Sequence, residues 1–188
     1  WILKLDRDGN IQWQKTYGGS GYDRAASIQQ TTDGGYIVAG VTSSLDPWNQ
    51  NIWILKLDRD GNIQWQKTYD VSSNDWIFSI QQTTDGGYVM AGENTYSYNV
   101  SYIDALVLKL DVNGNISGCP SGLIRDSNAT VNDTNAIAID TNVTPQNTNV
   151  SPLISYASVT DTNVTPRAVC GAPIDNIPPI VSVTATPN

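Results

Sequence analysis

A stretch of 17 residues occurs twice in this chain without a single change. Trp1 to Tyr17 reads WILKLDRDGNIQWQKTY, and Trp53 to Tyr69 reads the same. Ser27 to Tyr36, SIQQTTDGGY, returns identically as Ser79 to Tyr88, at the same offset of 52 residues. A looser third copy runs from Leu106 to Ile116, displaced by one further residue. No other feature limits the fold as much. Each copy must build the same supersecondary unit, and units of this size bury their apolar faces by stacking on their neighbours. Repetition of this kind is not how common enzyme active sites are built.

Within one period the residues read as four short strands. Ser27 to Thr31 alternates and ends at Thr32-Asp33-Gly34-Gly35, a tight hairpin turn in which glycine supplies positive φ. Tyr36 to Val41 is apolar enough to be central, and a longer loop spans Thr42 to Asn51. Ile52 to Asp58 places Trp53, Leu55 and Leu57 on one face, with Ile54 and Lys56 on the other. The chain turns at Asp58 to Asn62, and Ile63 to Tyr69 forms the fourth strand. Four antiparallel strands in about 50 residues is the size of a propeller blade. The predicted fold class is all-β, with four-stranded antiparallel blades.

The motif SIQQTxDGGYIVAGxT followed by WILKLDxxGNIxWQKTYGG resembles the delta-60-type, propeller-like repeats of secreted bacterial and archaeal proteins. The resemblance covers residues 1–118. It implies β-propeller blades and an extracellular or surface setting, and implies no particular activity. A closed propeller needs roughly four to eight blades, whereas the repeats here give about two and a half. The chain opens inside a unit, at an N-terminal half-blade of two strands. The expectation is therefore either processing ahead of Trp1 or a piece of something larger. Blades that do not close alone leave strand edges open to another chain, which points to an oligomer or polymer of this protein.

Composition excludes several function classes. The 188 residues include no His, so no Ser-His-Asp triad, Cys-His pair or His-ligated zinc can be built. Ten Lys and Arg against eighteen Asp and Glu give a net charge of −8, the wrong sign for a nucleic-acid partner. No apolar run approaches the ~20 residues of a membrane span.

The composition changes at Cys119. Residues 119–188 hold one aromatic residue, Tyr156, and are rich in Thr, Asn, Val, Ser and Pro. A shorter period appears there: Asn128, Asn135, Asn142, Asn149, Tyr156, Asn163 and Cys170 stand seven apart. Proline and β-branched residues rule out a coiled-coil seam. Because seven is odd, a continuous strand would change faces at every repeat. Each heptad then contains a turn or bulge, or the segment runs extended along the blades, or it is a disordered, mucin-like stalk. Cys119 and Cys170 bracket the array and read as a disulfide, which would place the chain in an oxidising compartment; two buried free thiols are the alternative. Residues 119–170 are thus a Thr/Asn-rich β segment. Residues 171–188, Gly171 to Asn188, read as a linker with the first strand of an Ig-like domain or a donated strand.

Four sets of candidate site residues remain. The glycosylation signal Asn-x-Ser/Thr occurs at Asn99, Asn115, Asn128, Asn132, Asn142, Asn149 and Asn163. Asp6 with Asp8, and Asp58 with Asp60, form Asp-x-Asp loops that are calcium candidates. Glycine falls too early for an EF-hand and no bidentate Glu follows, so a β-turn is the plainer reading. Trp48 and the group Tyr96, Tyr98 and Tyr102 lie in corresponding loops, as glycan contacts or as subunit contacts. A carboxylate pair for glycosidase chemistry lacks support, since Glu93 is the only glutamate and the repeated aspartates lie in turns. The reading is of a non-enzymatic extracellular structural protein without cofactor. It would be a subunit of a surface assembly or filament held by inter-subunit strand pairing, with a glycan-binding adhesin as the alternative.

Overall fold

A computed structural model of the chain describes residues 1–45, 47–72, 74–95, 103–119 and 124–134. All regular structure among them is β: eleven strands in three antiparallel sheets, none closed into a barrel. The first sheet contains β1 (Ile2–Leu5) and β2 (Ile11–Gly18). The second is a meander of β3 (Asp23–Gln30), β4 (Tyr36–Thr42), β5 (Asn51–Leu57) and β6 (Ile63–Tyr69). The third has β7 (Asn74–Gln82), β8 (Tyr88–Thr95) and β9 (Ile103–Leu110). Two later strands, β10 (Ile124–Asp126) and β11 (Thr130–Asp133), join the outer edges of β6 and β2.

The architecture is one of open, propeller-like blades, with one departure from the four strands expected of each copy. Among the described residues the third sheet has three strands. Where the fourth strand of that blade would run, Ile116 to Cys119 forms a turn, closed by the Cys119 amide donating to the Ile116 carbonyl at 3.3 Å. The reason lies in the residues. The motif Trp-Gln-Lys-Thr-Tyr that follows Ile63-Gln64 is absent after Ile116, and Gly118 at φ 75° turns the chain instead.

The sheets stack through two apolar layers. Trp53, Leu55 and Leu57 of the middle blade, with Tyr36 and Val38, pack on Ile2 and Tyr17 of the first. On the opposite face, Ile37, Ile52, Ile54 and Tyr69 pack on Ile77, Met90, Leu106 and Leu108 of the third. The middle blade is covered on both sides, so every residue of β4 and β5 is buried, including Lys56. Alternation predicts two faces for β5, and the neighbouring blades bury both. A buried ammonium needs partners. Lys56 Nζ donates to Asp33 Oδ2 at 2.8 Å, Gln64 Oε1 at 3.0 Å and the Leu57 carbonyl at 3.2 Å.

Successive blades are fastened by the same contacts. Tyr17 Oη donates to the Gly61 carbonyl at 2.7 Å, and Tyr69 Oη to the Gly114 carbonyl at 2.6 Å. The Trp13 ring meets Tyr36 edge-on at 5.7 Å, and Trp65 meets Tyr88 edge-on at 6.1 Å. The Asp-x-x-Gly turn of one blade therefore receives the aromatic pair of the blade before it. Gly61 has φ +78°, and a Cβ there would come within 3.1 Å of the Trp13 ring and the Tyr17 hydroxyl. The position needs glycine for its backbone angle and for space.

Candidate functional site

The outer edge of a blade is where this chain shows recognition of one segment by another. β10 runs antiparallel to β6, with Ile124 opposite Tyr69 and Asp126 opposite Lys67. β11 runs antiparallel to β2, with Val131 opposite Tyr17 and Asp133 opposite Lys15. The partners Tyr69 and Tyr17 are 52 residues apart, and Ile124 and Val131 are seven apart. The seven-residue period of the tail and the 52-residue period of the blades are thus in register. One heptad crosses one blade.

The side-chain contacts repeat at the same step. Lys67 Nζ donates to Asp126 Oδ1 at 2.7 Å, and Lys15 Nζ to Asp133 Oδ1 at 2.6 Å. The Trp53 indole N–H donates to Ser127 Oγ, and the Trp1 indole N–H to Thr134 Oγ1, both at 3.1 Å. The Ser127 amide donates to the Gln66 carbonyl and the Thr134 amide to the Gln14 carbonyl, both at 3.3 Å. The lysine stems lie against the blade and the aspartates stand in water. Such ion pairs contribute about 0–1 kcal/mol, so they select register more than they add stability. The backbone ladder and the indole bonds, each worth roughly 1 kcal/mol, supply the rest. Chemically the edge is a strand acceptor: main-chain groups hold an extended peptide, while an ammonium and an indole N–H read an acidic residue followed by a hydroxyl.

Between its two crossings the tail passes from the middle blade to the first. Ala129 and Val131 pack onto the apolar layer between them. The crossing roofs a cleft of about 270 Å³ lined by Gly18, Ser44, Trp53, Ser127 and Thr130 among the described residues.

The residues singled out from the sequence distribute as follows. Asp6 and Asp58 sit in turns that they hold closed. Asp58 Oδ1 accepts from the Asp60 and Asn62 amides at 2.9 and 2.8 Å, and Oδ2 from Asn62 Nδ2 at 3.0 Å. Asp6 repeats this with Asp8 and Asn10. The Asn62 and Asn10 side chains donate to these carboxylates, lowering the pKa of Asp58 and Asp6. Asp8 and Asp60 are exposed. No group of three metal-ligating side chains occurs among the described residues; the carboxylates of Asp6 and Asp58 form their turns, whereas Asp8 and Asp60 join them through their backbone amides. Trp48 stands in the β4–β5 loop with 82% of its surface exposed. Tyr96, Tyr98 and Tyr102 lie outside the described residues, as do Cys170, Asn99, Asn142, Asn149, Asn163 and the segment 171–188. Asn128 and Asn132 are exposed on the docked tail. Asn115 is exposed too, and its amide nitrogen donates to Asp111 Oδ2 at 3.1 Å within its turn.

Lys15, Lys67, Trp1 and Trp53 were not singled out by motif reasoning, nor were Asp126, Ser127, Asp133 and Thr134. A signal for them is present: Asp-Ser at 126–127 and Asp-Thr at 133–134 precede the periodic asparagines at the same seven-residue step. Among known proteins, no family model matches the chain and no curated protein matches it.

Proposed function

We propose that this chain is a non-enzymatic, extracellular structural protein, a subunit of a surface assembly or filament joined by β-strand pairing between subunits. The observation that carries the reading is the outer edge of β9. In the complete blade the corresponding strand, β5, pairs with β6. β9 pairs with β8 and with no further strand among the described residues. Its side chains bear the mark of the missing neighbour. Lys109 keeps the carboxylate partner of its counterpart Lys56, Asp85 at 2.8 Å, without a glutamine like Gln64, and 49% of its side chain is exposed against 6% for Lys56. Val107, the counterpart of the buried Ile54, is 66% exposed on the face of β9 turned away from the middle blade. An unpaired strand edge is a template for another chain, and the open apolar face beside it leaves room for one. The tail on β6 and β2 supports the view that blade edges of this type accept added strands.

The extracellular setting draws on the resemblance to secreted repeats and on the two cysteines. We propose a Cys119–Cys170 disulfide and glycans on Asn128 and Asn132, whose side chains face water; no helix among the described residues is long and apolar enough to cross a membrane. The test of assembly is sedimentation across a concentration series with electron microscopy of the same samples. Association that grows with concentration and is blocked by Val107→Lys is expected. A monomer at every concentration would sink the reading. A glycan-binding adhesin is the second reading, favoured by the exposure of Trp48; retention on immobilised glycans that is lost in Trp48→Ala would establish it instead.

A further inference from the structure

The cleft beneath the tail crossing has two walls that carry hydroxyl groups. Thr42 and Ser44 come from the end of β4 and the loop after it, and Ser127 and Thr130 come from the tail. The protons of these hydroxyls are already committed. Thr42 Oγ1 donates to Asp23 Oδ1 at 2.6 Å, and Ser44 Oγ to Asp23 Oδ2 at 2.9 Å. Ser127 Oγ donates to Gln66 Oε1 at 2.9 Å, and Thr130 Oγ1 to the Gly18 carbonyl at 3.1 Å. A hydroxyl oxygen has two acceptor lone pairs besides its proton. Ser44 Oγ accepts from the Gly21 amide at 3.0 Å and Ser127 Oγ from the Trp53 indole at 3.1 Å, so each keeps one acceptor position with respect to the described residues. The walls thus present acceptors, and a ligand has to bring the protons.

The blade repeat does not call for this arrangement. One period on, Asp75 keeps the place of Asp23, but Asn94 stands opposite it where Thr42 stands opposite Asp23, and Val71 replaces Gly19. Contacts that serve the scaffold recur from blade to blade, as those of Tyr17 and Tyr69 do. The size of the cleft narrows the ligand further. About 270 Å³ lies at the lower end of ligand pockets and leaves room for one ring. Leu45 and Ala129 add apolar surface beside the oxygens. An ammonium ligand would need a counter-charge, and the Asp23 carboxylate is already shared among the Gly19 amide and two hydroxyls. A compact ring with several neutral O–H donors and C–H edges matches both the oxygens and the apolar contacts.

We propose that this cleft binds a single neutral sugar ring, whose hydroxyl groups donate to Ser44 Oγ on the blade wall and to Ser127 Oγ and Thr130 Oγ1 on the tail wall. The inference deepens the glycan-binding reading and rests on it, but it places recognition in the cleft rather than at Trp48, which stands further along the same loop. Because the tail forms one wall, the bound sugar also holds the tail to the blades, and sugar binding and tail docking are coupled.

The test uses the 188-residue chain produced without glycans, so that none on Asn128 reaches the cleft. It is titrated by calorimetry with the methyl glycosides of glucose, galactose and mannose, and its retention on immobilised glycans is measured alongside. At least one glycoside should bind. Ser44→Ala and Ser127→Ala, on opposite walls, should each weaken that binding by about 5-fold or more, the loss of one hydrogen bond, while Trp48→Ala leaves it within about 2-fold. The bound glycoside should also slow amide exchange in β2 and β6. Glycoside binding that is lost in Trp48→Ala and unchanged in both wall variants would overturn the cleft and leave the glycan-binding reading standing. So would retention on immobilised glycans without binding of any methyl glycoside. Neither retention nor binding would overturn both. If Ser127→Ala frees the tail, seen as faster exchange in β6 without ligand, Ser44→Ala decides alone.

Discussion

The same 17 residues stand in two places in this protein, and their side chains live in different surroundings. In the middle blade Leu57 is fully buried and Trp53 nearly so; in the first blade Leu5 is 43% and Trp1 63% exposed. Backbone and turns are alike in both copies, with the strand pairing interrupted at the same place, between Lys4 and Leu5 and between Lys56 and Leu57. Local conformation therefore belongs to the sequence, and burial belongs to the neighbour. What each copy gives to the next blade is the same in both cases: an aromatic pair and a phenol hydrogen bond. Only what it receives differs.

Matched substitutions in the two copies measure that difference directly. The largest effect is expected for Leu57→Ala, which should lower stability by about 3 kcal/mol, against less than about 1 kcal/mol for Leu5→Ala; urea unfolding of both variants measures the gap. Similar losses would mean that another surface covers β1 in solution. Gly61→Ala should cost about 2 kcal/mol, since the new methyl meets Trp13 and Tyr17 and the backbone angle is left-handed. Gly9→Ala carries only the angle, with open space around it, and should cost about 1 kcal/mol. Tyr17→Phe and Tyr69→Phe should cost the same, about 1 kcal/mol each, because both hydroxyls make the bond to the next turn.

The lysines sharpen the comparison with pH. Lys56, joined by Thr31, holds Asp33 at a pKa of about 2, below the ordinary carboxylate value of 3.8. A lowered folded-state pKa gives stability that is present above about pH 4 and is lost as the pH falls toward about 2. Asp33 is half-exposed, so the contribution is under about 1 kcal/mol after screening by water. Asp33→Asn should flatten the acid side of the stability curve over that interval, and a parallel curve for variant and parent would refute the link. Asp126→Asn and Asp133→Asn should have the smallest effects, about 0.5 kcal/mol or less each, and high salt should erase them.

Much of the blade was legible in the residues. β6 spans Ile63–Tyr69 as read, and the Thr-Asp-Gly-Gly hairpins turn where the glycines stand. The face of Trp53, Leu55 and Leu57 packs as one set. These features are local, set by alternation and turn chemistry. The three-stranded form of the third blade among the described residues was harder to see, because Leu106 to Ile116 announces a repeat that the motif Trp-Gln-Lys-Thr-Tyr then fails to follow. Docking of the tail was harder still. Its heptads have few large apolar residues, and their partners lie 55 to 133 positions away. Only the match between a step of seven and a step of 52, together with Lys15 and Lys67 facing Asp133 and Asp126, makes the pairing evident. The asparagines that mark the period most clearly are not the residues that make the repeated contacts.

The crossing from β10 to β11 has a mechanical consequence. Seven extended residues reach at most about 23–25 Å, which bounds how far equivalent points of the two blade edges can separate while both pairings hold. The tail restrains the blades from fanning apart at their outer rim, as a hoop restrains staves. A pull along the tail would run parallel to β10 and β11 and load their pairings in shear. Several backbone bonds must then fail together, rather than open one by one from an end. The described part of the tail, residues 124–134, without an aromatic residue, is placed where it carries tension.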